Sequence, residues 1–116
     1  DYEIFVMDAD GTNVRQLTTN DDIDFHPEWS PDGKQIAFNS YRDGDYEIFV
    51  MDADGTNVRQ LTTNDDGDYD PVWSPDGKQI AFHSYRYGDN EIFVMDADGT
   101  NVRQLTQLGI TPSYKP

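Results

Sequence analysis

Carboxylates are the side chains this sequence offers for chemistry, and they recur at fixed spacing. Asp8 and Asp10 return as Asp52 and Asp54, and again as Asp96 and Asp98. Each pair sits in an Asp-Ala-Asp-Gly-Thr-Asn stretch whose Asp-Gly step signals a hairpin turn. Hard cations take several oxygen ligands, so these six aspartates are a candidate metal site, with calcium as the cofactor they would suit. The stretch lacks the bidentate Glu that a helix–loop–helix calcium loop places at its twelfth position. The plainer role is the turn itself, because Asp and Asn hydrogen-bond their own backbone two residues on.

Catalytic chemistry finds less support. His26 and His83 are the two histidines, and Asp70 and Asn39 stand at their repeat-equivalent positions. The sequence holds no Gly-x-Ser-x-Gly elbow, no phosphate-cradling glycine loop and no His-Glu-x-x-His. Paired acids could serve glycosidic hydrolysis, but acids at every turn single out no pair. No catalytic residue is assigned, and the chain is read as non-enzymatic.

These residues are carried by a 44-residue repeat. Residues 3–18, 47–62 and 91–106 share one sequence, from Glu-Ile-Phe-Val-Met-Asp to Arg-Gln-Leu-Thr. A period in the forties holding several short strands is the spacing of a β-propeller blade. One period reads as four strands: A at 25–30, B at 35–41, C at 46–52 and D at 57–62. The turn between A and B carries Pro31 and Asp32-Gly33, residues that favour tight turns. Strand C is a continuous Ile-Phe-Val-Met run, which implies burial on both faces and therefore a neighbour on each side. The expected fold is all-β, with four-stranded antiparallel meander sheets. The chain divides into a half blade of strands C and D (1–18), two full blades (19–62 and 63–106), and a tail (107–116). Within the tail, Pro112-Ser113-Tyr114 echoes the start of strand A.

The run Trp29-Ser30-Pro31-Asp32-Gly33-Lys34-Gln35-Ile36-Ala37-Phe38, with Ser40-Tyr41-Arg42-Asp43-Gly44 and Glu47-Ile48-Phe49-Val50-Met51-Asp52, resembles the blade signature of TolB-like propellers. The resemblance covers residues 1 to about 106. It implies a propeller fold and an extracytoplasmic setting, periplasmic or secreted. Fold alone assigns no activity.

The two full repeats differ at seven positions: Ile23/Gly67, Phe25/Tyr69, His26/Asp70, Glu28/Val72, Asn39/His83, Asp43/Tyr87 and Tyr46/Asn90. Most lie near the D-to-A connection and the B-to-C turn, which a meander brings to one rim. Loops on a rigid scaffold carry function. The candidate binding surface is therefore this varied rim: Asp22, Asp24, His26, Asp43, Tyr46, Asp66, Asp68, Asp70, Tyr87 and Asn90. Arg42 and Arg86 are expected to pair with nearby aspartates.

The net charge of −15, from 23 acidic and 8 basic residues, repels phosphate backbones and anionic bilayers, so neither nucleic acid nor membrane is an expected partner. No leader peptide is read, because residue 1 already sits in repeat sequence. About two and a half blades leave apolar faces open, since propellers have about four to eight. Homo-oligomeric assembly through those faces is expected, with a protein or peptide partner on the varied rim; the alternative is a ligand- or calcium-binding fragment of a larger propeller, whose other blades would cover them.

Overall fold

The computed structural model describes residues 2–19, 22–42, 45–63, 66–86 and 89–106. The expected strand A of the tail (107–116) lies outside them. Among the described residues ten strands are formed: β1 (Phe5–Val6), β2 (Arg15–Gln16), β3 (Asp24–Trp29), β4 (Gln35–Arg42), β5 (Asp45–Asp52), β6 (Arg59–Gln60), β7 (Asp68–Trp73), β8 (Gln79–Ser84), β9 (Glu91–Asp96) and β10 (Arg103–Gln104). They make a β1-β2 pair and two antiparallel four-stranded meanders, β3-β4-β5-β6 and β7-β8-β9-β10. Strands A, B and C fall within a residue or so of their expected bounds.

Strand D is shorter than expected. Asn13, Asn57 and Asn101 adopt left-handed φ values of 58°, 57° and 58°, so the chain enters the strand through a bend. The ladder then ends on a side chain: the Ile48 amide donates to Thr62 Oγ1 at 3.0 Å, and Thr62 donates to Glu47 Oε1 at 2.6 Å. Thr18 and Thr106 do the same for Ile4 and Ile92.

Register assigns each residue of strands B and C to a face. Ile36 pairs with Met51 and Phe38 with Phe49, so these four share the face toward the half blade. Ala37 pairs with Val50 and Asn39 with Ile48, so these share the opposite face, toward the second blade. The core follows this division. Ile4 and Leu17 pack with Ile36, Phe38, Phe49 and Met51. Ala37, Ile48, Val50 and Leu61 pack with Trp73, Ile80, Phe82, Phe93 and Met95. Strand C is apolar on consecutive positions because each of its faces meets a different neighbour, as stacked blades require.

Candidate functional site

The varied rim is where the second blade's inner strand meets the first blade. Both inner strands carry a bulge, between Phe25 and Glu28 in β3 and between Tyr69 and Val72 in β7. The bulge places His26 and Asp70 at φ 60° and 59°, a left-handed backbone that side chains with a Cβ rarely adopt. These two repeat-equivalent residues face one another across the blades, with His26 Nδ1 3.5 Å from Asp70 Oδ1. Asn39, wholly buried on β4, accepts the Asp70 amide on its Oδ1 at 2.9 Å. Its Nδ2 is buried without a hydrogen-bond partner among the described residues.

Two residues assigned to the rim surface are not on it. Asp24 and Asp68 are fully buried. Ser40 donates to Asp24 Oδ1 at 2.5 Å, Arg42 Nε donates to Ser40 Oγ at 2.7 Å, and Arg42 Nη2 lies 3.6 Å from Asp24 Oδ2. Asp68, Ser84 and Arg86 repeat the arrangement. Each guanidinium also lies over a phenylalanine, Arg42 4.6 Å from the Phe49 ring centre and Arg86 4.5 Å from that of Phe93. A buried carboxylate needs such a partner, because leaving water uncompensated is costly. The pairing expected for Arg42 and Arg86 is present, and it removes Asp24 and Asp68 from any binding surface.

Around these latches lies a feature that counting acids does not reveal. Tyr2, Phe25, Tyr46 and Tyr69 form a continuous series of edge contacts at 6.4, 5.4 and 5.7 Å, crossing from the half blade to the second full blade. Tyr41 adds a ring 4.7 Å from Tyr46. The signal was aromatic residues at matching repeat positions, 2 with 46, 25 with 69 and 41 with 85. Burial, followed by the charge of Asp68, pushes the Tyr69 hydroxyl above its ordinary pKa. Gly67 makes room for that ring: a Cβ there would sit 2.5 Å from the Tyr69 hydroxyl. The exchanges Ile23/Gly67 and Phe25/Tyr69 are therefore coupled by packing. Asp22, Asp45 and Asp66 are half-buried and Asn90 is exposed, while Asp43 and Tyr87 lie outside the described residues.

The opposite rim holds the hairpin aspartates. Asp10 Oδ1 accepts from the Thr12 amide at 3.0 Å and from the Thr12 hydroxyl at 2.6 Å. Asp54 with Thr56 and Asp98 with Thr100 are the same. The threonine hydroxyls, then the amides, hold these carboxyls below the usual range. Asp52 is 3.8 Å from Arg59; Asp8 is exposed and Asp96 half-buried. Among the described residues no three His, Cys, Asp or Glu side chains gather to hold a metal. No helix of the described residues is long and apolar enough to cross a membrane.

The two ends of the stack present the core residues uncovered. Phe5 and Met7 are 55% and 58% exposed, whereas Phe49, Met51, Phe93 and Met95 are buried. At the other end Ala81, Ile92 and Val94 are only half-buried, and Leu105 is 60% exposed.

Known proteins supply the context. Residues 1–116 match the model of the TolB beta propeller domain. A Tol-Pal system protein TolB of Geobacter metallireducens is 58% identical over 33 residues, which is 28% of this chain and 8% of the relative. The structure of a TolB from Agrobacterium tumefaciens superposes with a TM-score of 0.83 at 34% identity, over 90% of this chain and 40% of that one. An oligogalacturonate lyase solved with manganese superposes at 0.71 and 24% identity, over 90% of this chain and 30% of that one, a likeness of fold. The chain thus spans about a tenth of the curated relatives it matches.

Proposed function

Because this chain belongs to the TolB β-propeller family, we propose that it is a non-enzymatic propeller segment that covers its open faces with further copies of itself and presents the varied rim to a protein partner. The observation that carries this reading is the exposure at the two ends. Phe5 and Met7 at one end, and Ala81, Ile92, Val94 and Leu105 at the other, are the two halves of the contact already made between the blades. Apolar surface of that kind is stabilised by being covered, at roughly 25 cal/mol per Å² removed from water.

The rim suits a protein surface carrying basic groups. Its rings offer faces for cations, and its half-buried carboxylates draw positive charge. The name of the relatives, Tol-Pal system protein, supports a role among other proteins and an extracytoplasmic setting. A non-enzymatic role is supported by the latches: the buried carboxylates of Asp24 and Asp68 are engaged by serine and arginine side chains within their own sheets.

A second reading is favoured by length. The chain covers 40% of the A. tumefaciens structure, so its faces would be covered by other blades where it forms part of a longer propeller. Calcium on the hairpin aspartates belongs to that reading, and a melting point raised by calcium and restored by chelator would support it.

Melting at rising concentrations of the 116-residue protein tests self-completion. Association that buries the open faces makes the melting temperature climb with concentration. A melting temperature independent of concentration contradicts it.

A further inference from the structure

We infer that two copies close one ring, head to tail, through a seam that seats Gly11 of one copy on Leu105 of the other. The inference rests on the self-completion reading above and adds its register and copy number.

The register follows from the internal junctions. Where the blades meet, the Asp-Gly hairpin of the following blade presses on strand D of the preceding one. A Cβ built on Gly55 would lie 3.1 Å from the Leu17 carbonyl oxygen and 3.3 Å from Leu17 Cβ. On Gly99 it would lie 3.0 Å from the Leu61 oxygen and 3.4 Å from Leu61 Cβ. The third glycine of the series, Gly11, has nothing within 4 Å, and the third leucine, Leu105, is exposed. Each is the missing half of the other's contact.

The differences between the blades support the same seam. Among the side chains of the first blade that touch the inner strand of the second are Asn39, whose Oδ1 accepts the Asp70 amide, and Tyr46, against Tyr69. Their counterparts on the open face are His83 and Asn90, both changed. Among the described residues the half blade meets them with strands C and D. The apolar positions Ala37, Ile48, Val50 and Leu61 recur unchanged as Ala81, Ile92, Val94 and Leu105. The open face has kept what outer strands need and altered what an inner strand needs.

Copy number follows from counting. The half blade packs as a blade against the first full sheet, so the described residues of one copy fill three blade positions. Propellers close with about four to eight blades; two chains supply six positions and three supply nine, so two is the number that fits. Head-to-tail contacts of one kind then close by a two-fold rotation.

The sequence contains no cysteine, which makes cross-linking selective. Gly11→Cys and Leu105→Cys proteins are mixed under mild oxidation, with Gly11→Cys and Val102→Cys as control. Cβ atoms spaced as at the internal junctions are close to disulfide geometry, so the 11–105 pair should form about tenfold faster than the control. Equal rates overturn the register. Because Gly11 has φ +89°, a cysteine there is strained, and Leu105→Asp gives an independent arm. It should abolish the two-chain particle while leaving the β circular dichroism signal intact; a persisting dimer overturns the seam. If the melting temperature of the unsubstituted protein still rises with concentration, copies do associate and only this seam is refuted.

Discussion

The two internal junctions are made from the same repeat yet differ in completeness. Between the full blades, Trp73 is 8% exposed and its Nε1 donates 3.0 Å to the Glu28 carbonyl. At the half-blade junction, Trp29 is 50% exposed. Phe49 and Met51 are nonetheless buried there, beneath Ile4 and Leu17. Outer strands C and D are therefore enough to cover a neighbour's phenylalanine and methionine. Covering the tryptophan takes the neighbour's inner strand.

The largest effect that sharpens this comparison is expected in the completed core. Phe82→Ala, fully inside, should cost roughly 3–5 kcal/mol in denaturant unfolding. Phe5→Ala, half exposed in the single chain, should cost far less at concentrations too low for association. The latch comes next. Asp68→Ala strips a buried carboxylate from a partly exposed arginine and should cost about 2 kcal/mol, with Asp24→Ala similar because the two latches match in geometry. The tryptophans test the junctions directly. Trp73→Phe should cost roughly 1–2 kcal/mol for the lost hydrogen bond and volume, and Trp29→Phe should be near neutral. Equal costs would erase the distinction between the junctions.

The smallest effects are titrations. The Thr56 hydroxyl holds the Asp54 carboxyl below its unfolded value of 3.8. A group depressed on folding contributes stability above its unfolded pKa and loses it as pH falls through the folded one. The acid limb of the stability curve below 3.8 should therefore flatten in Asp54→Asn. Tyr69 runs the other way. Its value is raised above 10.0, so its contribution is present below that pH and lost as pH climbs through the raised value. Tyr69→Phe should remove that alkaline loss.

Much of this architecture was legible in the residues. The 44-residue period, the turns at Pro31 and Asp54-Gly55, and the unbroken apolar run of strand C all follow from local rules, and the sheets agree with them. The rim was read less well. Asp24 resembles its neighbour Asp22 in sequence, but register places it opposite Ser40, inside the sheet. The bulge that turns His26 toward Asp70 leaves no mark on composition. The ring series from Tyr2 to Tyr69 joins residues far apart in the chain, so the aromatic residues at matching repeat positions hint at it and the stacking of blades brings them together. Leu105 is one of three identical leucines, and its exposure depends on whether a further hairpin packs against it.

Sedimentation equilibrium of the unmodified 116-residue protein addresses the central claim most directly. Closure by a second copy predicts a folded particle of twice the 13.3 kDa chain mass. A folded, stable particle of single-chain mass across the accessible concentration range would contradict it.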